Sequence, residues 1–135
     1  MGAWDSNTFD NDDAADWLYE LECCDDLSVI EQALQFEEDY IEAPEGCGAL
    51  AAAEVVLALL GKARTGFPES AAEWVNNHKT LDANSLKDSA IKAVTLVLSE
   101  QSELVELWEE TSDFSVWKKD VNEIRSILED SLQSH

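Results

Sequence analysis

Residues 49–63 read ALAAAEVVLALLGKA, and Glu54 is the one charged side chain before Lys62. Alanine and leucine favour the helical backbone. A helix that is apolar around its whole circumference is one that neighbouring elements bury on several sides. We therefore predict that residues 49–63 form a buried central helix.

The composition favours helices in the rest of the chain as well. The 135 residues include only two prolines and five glycines, and 45% of them are hydrophobic, with five tryptophans. A chain of this length and apolar content buries a core without disulfides or a structural metal. We predict an all-α fold, a single compact bundle of about six helices in one domain, residues 1–135. Its parts are an irregular N-terminal arm, 1–10, an acidic helical pair, 11–41, and the core helices, 49–135.

Turn and capping residues divide the chain into the predicted helices. Pro44, Gly46 and Gly48 predict a loop at residues 42–48, and Ser28 with Glu31 has the spacing of a capping box. The predicted helices cover residues 11–13 to about 24, 28 to about 41, 49–63, 68 to about 77, 85–108 and 113–132. Apolar stripes support the first and the last of them: Ala14, Trp17, Leu18 and Leu21, and then Trp117, Val121, Ile124, Leu128 and Leu132.

Negative charge dominates the chain. Thirty Asp and Glu against eight Lys and Arg give a net charge of −22. Residues 1–61 hold sixteen of the acidic side chains and no Lys or Arg, so they contribute −16 and the remaining residues −6. Such a chain repels phosphate backbones and anionic lipid. We expect no direct binding to nucleic acid or to membranes, and a basic protein or a cation as the electrostatic partner.

The cysteines and the apolar segments indicate the cellular compartment of the protein. Cys23, Cys24 and Cys47 form an odd set without CxxC spacing, which is untypical of a disulfide framework and fits a reducing cytoplasm. No segment reaches the roughly 18 continuous apolar residues of a membrane span. The N-terminus lacks the basic region of a secretory signal. We expect a cytoplasmic protein without a cofactor.

Three blocks of the sequence are similar to a known family. They are MGAW at 1–4 with Phe9, NDDA at 11–14 and DW at 16–17; AAAEVV at 51–56; and SEL at 102–104 with LW at 107–108 and Trp117. Together they span nearly the whole chain, and they resemble the bacterial family catalogued as domain of unknown function 4259. The resemblance implies a bacterial soluble protein, and it supplies no activity, cofactor or catalytic residue.

Four aspartates cluster near the N-terminus, at Asp10, Asp12, Asp13 and Asp16. Several carboxylates at short range are the ligands that Ca²⁺ and Mg²⁺ prefer. The cluster lacks the glycine and the distal glutamate of an EF-hand, and acidic residues at a helix N-terminus are also favoured by the helix dipole. We favour a helix cap here, and a metal site is the alternative.

The aromatic residues of the same region have two interpretations as well. Trp4, Phe9 and Trp17 could line a ligand pocket or meet in the core. Aromatic residues at helical spacing are usually core, so we expect these three rings to meet there.

Catalysis requires a base, a nucleophile and groups that hold them in register. The two histidines are His78, in a polar run after a short predicted helix, and the C-terminal His135. The position of His78 is typical of a surface residue near a helix end. The chain contains no phosphate-binding glycine loop and no zinc-ligand spacing. We predict that the protein is not an enzyme.

Two acidic stretches surround aromatic residues, one around Tyr40 and one around Trp108. An aromatic ring among carboxylates is typical of a hot spot for a basic partner, although an acidic helix face is also commonly just solvated. The candidate protein-binding residues are Glu37, Glu38, Asp39, Tyr40, Glu106, Trp108, Glu109 and Glu110.

Small size, dense negative charge and the lack of catalytic groups favour a binding function. We hypothesise a non-catalytic protein-binding module, such as an immunity protein or an inhibitor of a basic toxin or nucleic-acid-binding protein. The alternative is a metal- or small-ligand-binding protein that uses the acidic N-terminal motif. A third hypothesis is that the charge is an adaptation to a salt-rich habitat, where acidic surfaces help solubility.

Overall fold

The computed structural model describes residues 12–36, 40–62, 67–78 and 83–133. Within these ranges the chain forms seven α-helices and one 3-10 helix, and an isolated bridge between Ile41 and Ser102 is the one β-type pairing. The all-α prediction is confirmed. The helices are α1 (Asp12–Glu22), α2 (Ser28–Ala33), α3 (Ala43–Leu59), α4 (Glu69–Asn77), the 3-10 helix (Ala83–Leu86), α5 (Lys87–Val97), α6 (Glu103–Glu109) and α7 (Phe114–Gln133).

The apolar stretch that begins at Ala49 forms the centre of the fold. Every side chain of α3 from Ala49 to Leu57 is buried, including that of Glu54. The helix packs against the six other α-helices of the described chain and against the 3-10 helix. The buried residues form one continuous hydrophobic core around it. The predicted central helix is therefore confirmed.

Gly61 ends this helix earlier than predicted. Its φ of +82° is left-handed, a conformation that glycine adopts without steric cost. The N–H of Lys62 donates to the carbonyl oxygen of Leu57 at 2.8 Å, and the N–H of Gly61 donates to that of Ala58 at 3.0 Å. These two hydrogen bonds form a Schellman motif, so α3 ends at Leu59.

The start of α3 corrects the prediction of a loop at residues 42–48. The helix begins at Ala43, and Pro44 lies in its first turn, where its fixed φ suits the helix and its missing N–H is not needed. A Cβ at Gly46 would lie 2.7 Å from Cδ1 of Leu104. Gly46 therefore allows α6 to approach the backbone of α3 closely.

The second helix is shorter than predicted. α2 ends at Ala33, whereas the prediction continued it to about residue 41. Ile41 instead forms the bridge with Ser102. Acidic side chains oppose the dipole at a helix C-terminus, and residues 37–39 read EED, so an extension of α2 through them is disfavoured.

Ser28 is not the N-cap that the capping-box prediction requires. Leu27 holds the cap position and makes no side-chain cap hydrogen bond. The Oδ1 atom of Asp26 accepts instead from the N–H of Ser28 at 3.0 Å, from its hydroxyl at 2.6 Å and from the thiol of Cys24 at 3.1 Å. Hydrogen bonds to a carboxylate favour its charged form, and those from Ser28 have the largest effect in lowering the pKa of Asp26 to about 2.

The predicted long helix at residues 85–108 is two helices in the structure. α5 ends at Val97 and α6 begins at Glu103. Leu86, at the end of the 3-10 helix, holds the N-cap position of α5 that the prediction assigned to Ser85.

Two serines explain the break between α5 and α6. The hydroxyl of Ser99 donates to the carbonyl oxygen of Leu96 at 2.6 Å, and such side-chain bonds compete with the helical hydrogen-bond ladder. Ser102 has an extended backbone, as its bridge with Ile41 requires. The apolar recurrence from Ala90 to Trp108 therefore crosses a break that periodicity does not detect.

The other predicted helices agree with the structure. α1 begins at Asp12, α4 follows Pro68, and α7 follows Asp113, whose carbonyl oxygen accepts from the N–H of Trp117 at 2.9 Å. The predicted stripes are buried at Ala14, Trp17, Leu18 and Leu21 in α1, and at Trp117, Val121, Ile124 and Leu128 in α7.

The predicted N-terminal arm lies outside the described residues, together with Trp4 and Phe9. The meeting of these two rings with Trp17 therefore stays a prediction. Trp17 itself is buried and lies beside Gly48 of α3, where an added Cβ would be 3.7 Å from its Cδ1.

A membrane-spanning helix needs about 20 predominantly apolar residues. α3, which contains most of the long apolar stretch, has 17 residues. In the described ranges no helix is long and apolar enough to cross a membrane.

Alanine substitutions at two glycines of α3 test the close approach of α6. In Gly48→Ala the new Cβ would lie 3.7 Å from Cδ1 of Trp17, an ordinary contact. The better helix propensity of alanine then raises the free energy of unfolding by about 0.5–1 kcal/mol. In Gly46→Ala the Cβ would lie 2.7 Å from the buried Leu104, and relief of the overlap costs roughly 1–3 kcal/mol. Urea unfolding is expected to place Gly46→Ala below Gly48→Ala, and equal stabilities would contradict the close approach.

The hydrogen bonds of Ser28 predict how Asp26 titrates. In Ser28→Ala the pKa of Asp26 is expected to rise from about 2 toward 3.8, its ordinary value, because the largest cause of its lowering is lost. Since the folded-state pKa is the lower one, Asp26 stabilises the fold above pH 3.8, and this contribution disappears as the pH falls through about 2. Carboxyl ¹³C NMR measures the pKa, and Ser126→Ala, an exposed change on α7, is the control. An unchanged pKa in Ser28→Ala would refute this account.

Candidate protein-binding surface

Two segments far apart in the sequence meet beside the start of α3. The N–H of Ile41 donates to the carbonyl oxygen of Gln101 at 2.8 Å, and the N–H of Glu103 donates to the carbonyl oxygen of Ile41 at 2.8 Å. These bonds form the parallel bridge between Ile41 and Ser102, and both bridge residues are buried. The bridge places the chain around Tyr40 against the first turn of α6.

Two glutamates of α6 reinforce this junction. The Oε1 atom of Glu103 accepts from the N–H of Ala43 at 2.7 Å, so it caps the first turn of α3, where amide groups lack helical partners. The hydroxyl of Tyr40 donates to the Oε2 atom of Glu106 at 2.5 Å. Loss of the phenolic proton would break this bond and create a second negative charge beside Glu106. The hydrogen bond to Glu106 is therefore the largest cause that raises the pKa of Tyr40 to about 12.

The junction produces one acidic surface, which we define by six residues: Tyr40, Glu103, Glu106, Leu107, Glu109 and Glu110. The five that belong to α6 or directly follow it line a shallow depression of about 560 Å³. Tyr40 and Leu107 are each 41% exposed. Within the described ranges, none of the four glutamates pairs with a lysine or arginine. The surface thus combines uncompensated negative charge with exposed apolar area.

Trp108 requires a correction, because the sequence analysis expects its ring to be presented to a partner. The side chain is only 5% exposed. Its ring stacks on that of Trp117 in α7, with centroids 6.0 Å apart and planes inclined by 9°. Burial of a large aromatic side chain against the core is favourable, so this residue anchors α6. The exposed apolar residue of the surface is its neighbour Leu107.

Some of the other predicted protein-binding residues belong to the acidic surface, and some lie outside the described residues. Tyr40, Glu106, Glu109 and Glu110 belong to the acidic surface. Glu37, Glu38 and Asp39 lie outside the described residues, and their part in binding stays a prediction.

The acidic N-terminal motif is only partly described. Of its four aspartates, Asp16 is the one whose side chain the structure describes, and it is exposed. The described part of the chain holds no group of three or more His, Cys, Asp or Glu that could bind a metal ion. The helix cap at Asp10, Asp12, Asp13 and Asp16 and its alternative, a metal site at the same four residues, therefore both stay predictions.

Sequence reasoning missed two features of this surface. It treated the two acidic stretches as separate patches, because no sequence pattern predicts a hydrogen bond across the 66 positions between Tyr40 and Glu106. It also missed Leu107. The helical repeat could have identified Leu107 as exposed. Leu104 and Trp108 are four residues apart and share the buried face of α6, whereas Leu107 lies beside the glutamates.

The helices and the acidic surface define the class of the protein, an all-α domain built around one buried helix. The chain belongs to the family described as Domain of unknown function (DUF4259), which matches residues 2–120. The resemblance of the three sequence blocks is thereby confirmed. No curated protein and no solved structure matches the chain significantly.

The bond between Tyr40 and Glu106 predicts an unusual tyrosine titration. The chain has two tyrosines, Tyr19 and Tyr40, and ultraviolet absorbance is expected to show a transition near pH 12, from Tyr40. Because the folded-state pKa exceeds the ordinary value of 10, the bond stabilises the fold below pH 10, and this contribution is lost as the pH rises through about 12.

Three variants check the assignment of this transition. Tyr40→Phe is expected to abolish it, Tyr19→Phe to leave it unchanged, and Glu106→Gln to lower it toward 10 because the charge beside the phenol is removed. A transition near 12 that persists in Tyr40→Phe would show that the assignment is wrong. Far-ultraviolet circular dichroism verifies that the helices persist over the range.

Proposed function

We propose that the protein is a non-catalytic binding module that captures a basic protein on its acidic surface. The observation that carries this proposal is the hydrogen bond between Tyr40 and Glu106, which places an exposed aromatic ring beside the glutamates of α6. Immunity proteins and inhibitors of basic toxins or nucleic-acid-binding proteins belong to this functional class.

The charge of the surface supports a basic partner. Its four glutamates have no lysine or arginine partner among the described residues, so a cationic partner would displace no ion pair within this part of the chain. The chain as a whole carries a net charge of −22. Such a field speeds the encounter with a cationic partner, and like charges repel nucleic acids.

The exposed apolar groups support a specific complex over a diffuse electrostatic attraction. Charge complementarity contributes mostly to association rate and selectivity, whereas desolvated aromatic and apolar anchors supply much of the binding energy. Tyr40 is oriented by its bond to Glu106, so less conformational entropy is lost when a partner packs on it.

The cysteines are consistent with a cytoplasmic location, which forms part of the proposal. Cys23, Cys24 and Cys47, all three of which the structure describes, form no disulfide, and the reducing cytoplasm keeps thiols in this state.

Matched charge reversals test the proposal. One variant carries Glu106→Lys, Glu109→Lys and Glu110→Lys in the acidic surface. The control carries Glu20→Lys, Glu69→Lys and Glu129→Lys, three exposed changes on α1, α4 and α7, and its net charge changes by the same amount. Both proteins and the unchanged chain are immobilised, exposed to a lysate of the source cells at low salt, and eluted with a salt gradient.

The expected result is one basic protein, held near equal stoichiometry by the unchanged chain and by the control. Calorimetry with that purified protein is expected to show affinity at least about tenfold weaker for the surface variant. Leu107→Ser is expected to weaken binding without changing its salt dependence, because it removes apolar area only. Equal weakening by both triple variants would overturn the proposal and indicate a generic charge effect, and a need for molar salt to fold would favour a habitat adaptation.

A further inference from the structure

A cavity of about 320 Å³ lies between α5 and the residues that follow α2. Both helices pack against α3, but they do not pack closely against each other, so a gap remains between them. The walls come from residues 34–36 on one side and from one face of α5 on the other. None of the lining residues belongs to the acidic surface.

Four apolar side chains make up the larger part of the cavity wall. Leu34 and Ala93 are buried, whereas Phe36 and Leu96 are half-buried and reach the opening. Small-molecule sites in proteins are concave and mostly apolar, with volumes of about 300–1,000 Å³ and a few polar groups. The cavity therefore has the size and the walls to hold the hydrocarbon part of a small ligand.

The charge of this cavity is opposite to that of the chain as a whole. The chain has thirty acidic and eight basic residues, yet Lys92 is the one charged side chain among the described residues that line the cavity. Ser89 lies three positions before Lys92, on the same face of α5. Within the described ranges, the ammonium group of Lys92 forms no ion pair, and the side chains of Ser89 and Gln35 form no hydrogen bond.

We propose that this cavity binds a small carboxylate with an apolar body, of the chemical class of the medium-chain fatty acids. The hydrocarbon packs against Phe36 and Leu96, where its burial is favourable. The carboxylate accepts from the ammonium group of Lys92 and from the hydroxyl of Ser89, which are donors without a partner in the described chain. This small-ligand function is separate from partner capture, because the two sites share no residue.

The net charge of the chain does not exclude an anionic ligand. At about 0.15 M salt, exposed charges more than about 8 Å apart are largely screened. Distant carboxylates therefore repel the ligand weakly, whereas Lys92 acts on it at contact distance.

NMR titration of the ¹⁵N-labelled protein with octanoate at about 0.15 M salt tests the proposal. Saturable shifts are expected for the amides of residues 34–36 and 89–96. Octanamide has the same hydrocarbon without the charge, and it is expected to bind roughly three- to tenfold more weakly. Acetate has the charge without the hydrocarbon, and it is expected to cause no saturable shift. Octanoate shifts that do not saturate at millimolar concentration, or that lie elsewhere in the chain, would overturn the proposal.

Three variants check the role of each group. Lys92→Met keeps an unbranched side chain without the charge, and it is expected to weaken octanoate binding roughly three- to tenfold and to leave octanamide binding unchanged. Lys119→Met, the same change at an exposed lysine of α7, is the control and is expected to alter neither. Ser89→Leu places a larger side chain in the cavity and is expected to abolish binding of both ligands.

Far-ultraviolet circular dichroism verifies that each variant retains its helices. Equal weakening by Lys92→Met and Lys119→Met would show a general charge effect and would overturn the site. Equal affinities of the unchanged protein for octanoate and octanamide would also overturn it, because Lys92 would then have no part in recognition.

Discussion

A helix that is apolar on every side is stable only when other elements cover its whole circumference, and α3 imposes this requirement on the chain. The six other α-helices of the described chain and the 3-10 helix each pack against it. Alanines at residues 49 and 51–53 keep its surface shallow, so the covering helices approach closely, and at Gly46 the contact reaches the backbone.

The need to cover α3 with apolar faces also determines where the charged side chains lie. Since the interior is occupied by α3 and the apolar faces that cover it, the acidic side chains that the structure describes lie outside the core, apart from that of Glu54. With only eight basic side chains, most carboxylates have no counterion within the chain. The acidic surface at Tyr40 and Glu106 is one place where this excess is concentrated, and there Glu106, Glu109 and Glu110 are exposed to solvent.

The sequence predicted those features that depend on local periodicity, and it failed where a distant contact overrides local preference. α1, α4, α7 and the core of α3 follow from apolar spacing and from Pro68. The bridge of Ile41 with Ser102 ends one predicted helix and interrupts another, and no local pattern reports it. Gly46 and Gly48 led to the prediction of a loop. That Gly46 instead allows close helix packing depends on Leu104 of another helix, which a local sequence pattern does not reveal. For the candidate site, the glutamates are read directly from the sequence, whereas the burial of Trp108 depends on how α6 lies against α7.

The bridge of Ile41 with Ser102 also has a consequence for the order of folding. Three helices, α3, α4 and α5, lie between its two partners, so the bridge closes a long loop. Closing such a loop costs conformational entropy, and contacts between distant residues form slowly. We expect α3, α5 and α7 to associate early and the junction at Tyr40 to form late. If the partner that we propose binds only the completed junction, it stabilises the native state by mass action, and its capture would be thermodynamically coupled to the last step of folding.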